Sequence, residues 1–379
     1  MIYFDNSATT RPYQEVLDSF HKVSQAFFAN PSSIHYLGGE VEQLLQKAKE
    51  QAANVLGVKD SELIFTSGGT ESNNLAIKGI AFQHMNRGKH IITTQVEHPS
   101  VLEACRALEQ LGFEVSYIPV DQYGKVKPED IEKEIRKDTI LISVMHVNNE
   151  MGTIQPIEEI ATIVTKHPKI FFHVDHVQGL GKIPLPFHHK GIHLVSMSSQ
   201  KIHGLKSTGL LYIQNGTTLF PLLHGGGQEG SHRPGTENVA GQVAMVKALR
   251  ITMERREKEF SKLETLSKKL RQLLATDKRI TINSPEDGAP HILNFSVPGY
   301  KPEVIIHALG KKDIFISTKS ACSSKHSDES AVLAACGLDT AITHSGLRVS
   351  LSFENNEQEV EQFFSALQSV LDELQKVMG

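Results

Sequence analysis

The stretch Ile170-Phe171-Phe172-His173-Val174-Asp175-His176-Val177-Gln178-Gly179 decides how this chain is read. Its first half is aromatic or β-branched on consecutive positions. A strand of that kind is covered on both faces, as in a parallel sheet with helices above and below. Working outward, similar short runs recur at residues 62–66, 90–95, 115–120, 139–146, 194–197 and 209–213. Helical patterns at 100–111 and 156–167 lie between them, the first with Ser100 as its expected N-cap and Gly112 at its end. The alternation predicts an α/β three-layer sandwich with right-handed crossovers and a mixed, mostly parallel sheet.

From 238 to 274 the only Gly or Pro is Gly241, which predicts one long helix carrying the chain out of the first domain. Beyond it, strands at 291–297, 314–318 and 347–353 and helices at 302–309 and 357–377 predict a smaller α/β unit. The expected division is a large domain of residues 15–255 and a small one of residues 1–14 and 256–379.

Composition excludes several classes. The chain has 379 residues, 39% of them hydrophobic and 22% charged, which is enough apolar matter for a core and argues against bulk disorder. Its three separated cysteines do not make a disulfide framework. A net charge of −4 gives no electrostatic case for direct nucleic-acid or anionic-membrane binding. Met1–Asn6 lacks the basic-then-apolar order of a secretory signal, and no apolar run approaches the ~20 residues that span a bilayer. A cytoplasmic protein is expected.

Three segments carry candidate chemistry. In Phe65-Thr66-Ser67-Gly68-Gly69-Thr70-Glu71-Ser72 an apolar strand runs through small residues into a helix, whose free N–H groups and dipole suit an anion. It is neither a Walker A loop nor a dinucleotide fingerprint, and read alone it is equally an ordinary capped turn. Asp175 stands at the carboxyl end of its strand, where open α/β sheets place ligands. A buried carboxylate needs a cation or donors, and a protonated pyridine nitrogen is one such partner; capping the next turn is the alternative. In Ser196-Met197-Ser198-Ser199-Gln200-Lys201, the lysine just past a strand is placed to form a Schiff base, with Ser198 offering phosphate hydrogen bonds. A lone lysine is usually a solvated charge. An anion cradle, an acid and a lysine in this order, each after a strand, point together to pyridoxal phosphate.

Cys105 and Cys336 sit in apolar helical contexts and read as packing residues. Cys322, in Lys319-Ser320-Ala321-Cys322-Ser323-Ser324-Lys325-His326, has no large apolar neighbour and has bases nearby that favour a thiolate. Arg348, within the apolar alternation Leu347-Arg348-Val349, suits a carboxylate clamp or a structural salt bridge.

With these residues in view, the sequence resembles the NifS/IscS-type cysteine desulfurases, pyridoxal-phosphate enzymes of the class-V aminotransferase group with the fold-type I architecture. The resemblance runs from Asp5-Asn6-Ser7-Ala8-Thr9-Thr10 through Glu97-His98, Asn148-Asn149-Glu150 and Arg233-Pro234-Gly235-Thr236 to Cys322 and Arg348. It implies Lys201 as the Schiff-base lysine and Cys322 as the sulfur acceptor. It implies His98 stacked on the pyridine ring and shuttling protons, Asp175 on the ring nitrogen and Gln178 on the phenolic oxygen. Gly69, Thr70, Ser198 and Gln200 would bind phosphate, joined by Thr236 from a second subunit, and Asn149 and Arg348 would grip the substrate carboxylate. A homodimer follows, as does a sulfur-acceptor protein, either an iron–sulfur scaffold or a tRNA-thiolation enzyme.

Several positions depart from the family pattern. Gln200 replaces a common histidine, Leu205 a common proline, and Gly230-Ser231-His232 a common Arg-Gly-X. The chain ends at Gly379 soon after its last helix, which leads to the expectation of a dedicated acceptor such as a tRNA-thiolation protein. The 19 histidines show no metal-binding spacing, so no metal is expected and most are read as solvated or capping. A selenocysteine lyase, another pyridoxal-phosphate aminotransferase and a non-catalytic sulfur-carrier subunit are the alternatives.

Overall fold

The structure, a computed structural model, describes residues 1–318 and 329–378. Seven strands form the central sheet in the order Leu63–Thr66, Gly209–Ile213, Leu194–Ser198, Phe171–Asp175, Thr139–Met145, His90–Thr94, Glu114–Ile118. Only Gly209–Ile213 runs antiparallel to its neighbours. Each strand expected from the apolar runs is present, with ends moved by one or two residues. The five residues of Leu194–Ser198 and the seven of Thr139–Met145 are all buried, as consecutive apolar positions require of a sheet covered on both faces.

Helices fill the two layers. One core packs Ala52, Ile142, Phe172, Val195 and Met197 against Ala244–Leu249; the other packs Ile77, Ile80, Val101 and Leu108 against Ile91 and Leu141. Cys105 belongs to this second layer, and Cys336 packs with Val96, Met151 and Leu333. The helix expected at 100–111 is Pro99–Glu109, and its N-cap is His98 rather than Ser100. Proline at N1 lacks the N–H that would go unpaired there, and the His98 ring accepts the N–H of Ser100.

The long helix is Val239–Ala275, 37 residues opened by Asn238, whose side chain accepts the Gly241 N–H. Its first half packs in the sheet core. Its second half, through Leu263, Leu266, Leu270 and Leu274, packs with Ile2, Phe4, Phe295, Leu347 and Phe363 in a separate core. That core backs the antiparallel strands Thr281–Ile282, Ile292–Ser296 and Gly346–Ser350, with Ile2–Tyr3 pairing Ile314–Phe315 beside them. Two of these strands are shorter than their apolar runs. Ser317 keeps only a bridge to Arg348, and after Ser350 the chain turns, with the Asn355 carboxamide accepting the Ser352 N–H.

Many histidines are neither solvated nor capping. His173 lies inside the sheet between the hydroxyls of Ser143 and Ser196, and His90 between those of Thr139 and Ser116. Burial pushes the His173 ring down to about 3, so it stays neutral as a hydrogen-bonding core residue. Among the described residues no helix is long and apolar enough to cross a membrane, and no group of three or more His, Cys, Asp or Glu is placed to hold a metal.

Leu270 is fully buried where the long helix enters the second core. Leu270→Ala is expected to destabilise that core by about 2–5 kcal/mol, read as a shift of its urea transition to lower concentration.

Candidate active site

The sheet places its polar residues along one edge. Parallel strands end at Thr66, Thr94, Met145, Asp175 and Ser198, and the segments that follow them converge on one pocket. Gly69, Thr70, His98, Asn149, Asp175, Gln178, Ser198, Gln200, Lys201 and Arg348 all line it. Thr236 does not; it is exposed and lies outside the lining. Cys322 lies outside the described residues.

The anion end is built by backbone. Gly68 has φ 144°, a region that favours glycine, and the helix Gly69–His84 starts immediately after it. A Cβ on Gly69 would stand 2.8 Å from a Val177 methyl. Glycine therefore brings the helix N-terminus up to the segment after Asp175, and Ser198 and Gln200 face it from the neighbouring strand end. An N-terminal helix dipole with free N–H groups, hydroxyls and an amide make a donor set suited to a phosphate.

Asp175 caps the turn that follows it and also takes a side-chain amide. Its Oδ1 accepts the Val177 N–H at 3.0 Å, a turn cap, and its Oδ2 accepts the Asn73 amide at 2.8 Å. The same Asn73 amide donates to Ser100 Oγ, which in turn contacts His98 Nδ1 at 2.8 Å. Because His98 Nδ1 accepts the Ser100 backbone N–H, its neutral ring carries the proton on Nε2. Burial lowers the His98 pKa, partly offset by the Asp175 charge and reinforced by that of Lys201. Asn73 is a site residue that the motif reading left without a role. The available signal was its place one helical turn after Gly69.

Lys201 lies in a short 3-10 turn, Ser199–Lys201, and its amine donates to the carbonyls of Ser7 and Ala8 at 2.5 and 2.6 Å. The N-terminal segment that supplies these carbonyls also grips the turn itself. Thr10 donates to the Gln200 carbonyl, and His203 N–H donates to Thr10 Oγ1. His203 has φ 59°, so the chain leaves Lys201 through a conformation that L-residues rarely adopt, held by this clamp and by Tyr13 stacked on its ring at 4.3 Å. Gln178, too, donates its amide to Ser7 O. Ser7 and Ala8 act through main-chain atoms, so side-chain identity carried no signal of their part.

Arg348 is 1% exposed. One Nη donates to the Asn149 carbonyl and the other pairs with Asp5 Oδ1, both at 2.9 Å, while Nε is buried without a partner among the described residues. It forms the salt bridge, and it also lines the pocket. Glu97, next to His98, is also buried: Oε1 accepts from Thr94 Oγ1 and the Met145 N–H, and Oε2 has no partner among the described residues. Burial, with a smaller push from Asp175, raises its carboxyl to about 8.

The aminotransferase class-V family model matches residues 2–363. The chain belongs to the class-V aminotransferase family. Within that family it is 42% identical over 380 residues to cysteine desulfurase IscS of Dictyoglomus turgidum, covering 99% of this chain and 96% of that relative. A solved NifS-like protein superposes with a TM-score of 0.92 at 39% identity, covering 98% of this chain and 99% of that one. The structure of SspA in complex with cysteine superposes with a TM-score of 0.81 at 33% identity, covering 93% and 99%. The class-V fold thus accounts for the mixed, mostly parallel sheet.

Glu97 makes a sign-specific prediction. Its pKa is about 4.3 unfolded and about 8 folded, so the folded state binds the extra proton and stability falls as pH rises across that window. Glu97→Gln cannot ionise. Its melting temperature relative to the parent should therefore rise steadily between about pH 4.3 and 8 and level off above, as followed by thermal unfolding.

Proposed function

We propose that this chain is a pyridoxal-phosphate-dependent cysteine desulfurase that moves sulfur from L-cysteine onto Cys322. The reading is carried by one observation: the Lys201 amine, the buried Asp175 carboxylate and a glycine-opened helix N-terminus face one pocket at the sheet edge.

The residues present fit the cofactor. Gly69, Thr70, Ser198 and Gln200 would take the phosphate, Asp175 the ring nitrogen, Gln178 the phenolic oxygen, His98 the ring face and Lys201 the aldehyde carbon. When bound, pyridoxal phosphate supplies an electron sink that acidifies the substrate Cα proton. The Asn73 amide and the Val177 N–H hold the Asp175 carboxylate in place for the ring nitrogen. Arg348 and Asn149 hold the substrate carboxylate, with the buried guanidinium already oriented by Asp5 and the Asn149 carbonyl. Lys201, as a free amine, is the base for the Cα proton, and the neutral His98 ring is placed to pass protons in the same pocket.

Cys322 completes the reaction. Its thiolate attacks the substrate sulfur, the carbon–sulfur bond breaks, and its electron pair passes to carbon, which takes up a proton and leaves as alanine. The new S–S bond remains on Cys322 as a persulfide for an acceptor protein. The placement of the flanking residues supports this role. Ser317 exchanges both backbone hydrogen bonds with Arg348, and Ser330 Oγ donates to Glu150, next to Asn149. Both ends of the segment that carries Cys322 are therefore tied beside the substrate-carboxylate residues. A homodimer in which Thr236 reaches the partner's phosphate, and an iron–sulfur scaffold or tRNA-thiolation acceptor, complete the proposal.

The purified chain should be yellow and release sulfide and alanine from L-cysteine with a reductant. Lys201→Ala should lose the colour and at least ~10²–10⁴-fold in rate. Cys322→Ala should keep the colour and form no persulfide. A colourless parent that makes no sulfide would sink the reading, and undiminished turnover in Cys322→Ala would reassign the thiol.

A further inference from the structure

A second lysine lies behind the first. Lys182 is buried at 4% exposure, in the turn that follows Gln178, and does not line the pocket. Its Nζ donates to the main-chain carbonyl of Lys201 at 2.8 Å. The next carbonyl, that of Ile202, accepts from Thr252 Oγ1 of the long helix at 2.9 Å. Two successive carbonyls after the Lys201 side chain are thus gripped by side chains from two different elements. Thr252 is a neutral hydroxyl, whereas Lys182 brings an ionisable amine into the interior, an expensive group to bury where a hydroxyl or amide would also donate.

The surroundings of Lys182 are basic. The rings of His176, His203 and His291 all sense its charge, as does Lys201, and Arg256 acts on His176 from the long helix. Glu354 is the one carboxylate in this set, acting on His203. The hydrogen bonds recorded for the Lys182 amine end on a carbonyl, not a carboxylate. The Lys201 amine, by contrast, donates to the two carbonyls of Ser7 and Ala8, which favour its charged form. A general base or nucleophile must lose that proton.

We propose that Lys182 is a positioning residue for Lys201: it anchors the Lys201 turn through the main-chain carbonyl and, as a buried like charge, makes the Lys201 amine give up its proton more readily. The proposal rests on the reading of Lys201 as the working lysine. Burial, and behind it the Lys201 charge, holds the Lys182 ammonium down to about 7. At Lys201 the carbonyls of Ser7 and Ala8 and the Asp175 carboxylate of the same pocket favour the charged amine, and Lys182 works against them.

The test reads Lys201 without any cofactor. Full-length, cofactor-free protein is labelled with acetic anhydride across a pH series, and acetylation at Lys201 is followed by peptide mass spectrometry. The parent is compared with Lys182→Arg, which is always charged, and with Lys182→Met and Lys182→Gln, which never are. The midpoint for Lys201 should be lowest in the Arg variant and highest in the neutral variants, the two separated by about one pH unit, as like charges at protein-interior distances require. Two neutral variants guard against one failing to fold, and thermal unfolding of each confirms a native chain. The same midpoint in the Arg and neutral variants overturns the proposal, since a purely structural anchor would leave it unmoved. A parent that failed to capture pyridoxal phosphate at Lys201 would count against the functional reading, while these midpoints would still decide this one.

Discussion

A carboxylate at the end of a strand buried on both faces is the constraint around which this molecule is arranged. Asp175 cannot stay ionised in such a place without donors, because the interior solvates charge poorly. The donors come from two directions: the Val177 N–H in the turn that follows, and the Asn73 amide on the helix that begins at Gly69. Asn73 can reach only because glycine at 68 and 69 lets that helix start close against the segment after Asp175. The acid, the anion-binding helix end and the His98–Ser100 pair are therefore one connected hydrogen-bonded unit rather than separate motifs.

The N-terminal segment does for the lysine what Asn73 does for the acid. Ile2 and Phe4 belong to the core of the antiparallel strands, while Tyr13 packs in the core of the large sheet. Between them, Asp5 pairs with Arg348, Ser7 and Ala8 accept from Lys201, and Thr10 ties down the Lys201 turn. A short stretch of chain thus crosses from one core to the other and holds a functional side chain at each stop. The long helix makes the same crossing, and its Thr252 fixes the carbonyl after Lys201. The pocket lies where these crossings place groups from both cores within reach of each other.

The strands of the sheet were legible because each is a run of consecutive apolar residues, and burial on both faces leaves no polar side to blur the pattern. Their ends were less legible. Where Ser352 and Asn355 form a local turn, side-chain hydrogen bonds compete with the ladder and win, although Leu351 and Phe353 beside them favour strand. The helix cap lies two residues before the expected Ser100, because a histidine, not a serine, supplies it. Polarity alone assigns most of the histidines to solvated or capping roles. The sheet instead buries several between hydroxyls contributed by neighbouring strands, and those partners are distant in sequence.

The sequence by itself determined the layer architecture and placed Lys201, Asp175 and the glycine-opened turn each after an apolar strand, whereas His98 was singled out only by the family resemblance. What it could not determine is what those residues lean on. The carbonyls of Ser7 and Ala8, the Asn73 amide and the buried Lys182 amine act through positions fixed by tertiary packing. A main-chain carbonyl has no residue type, and a buried lysine is indistinguishable in sequence from a surface one. Only the folded chain, by bringing the N-terminal segment and the turn after Gln178 against Lys201, decides which amine enters the pocket and which supports it from behind.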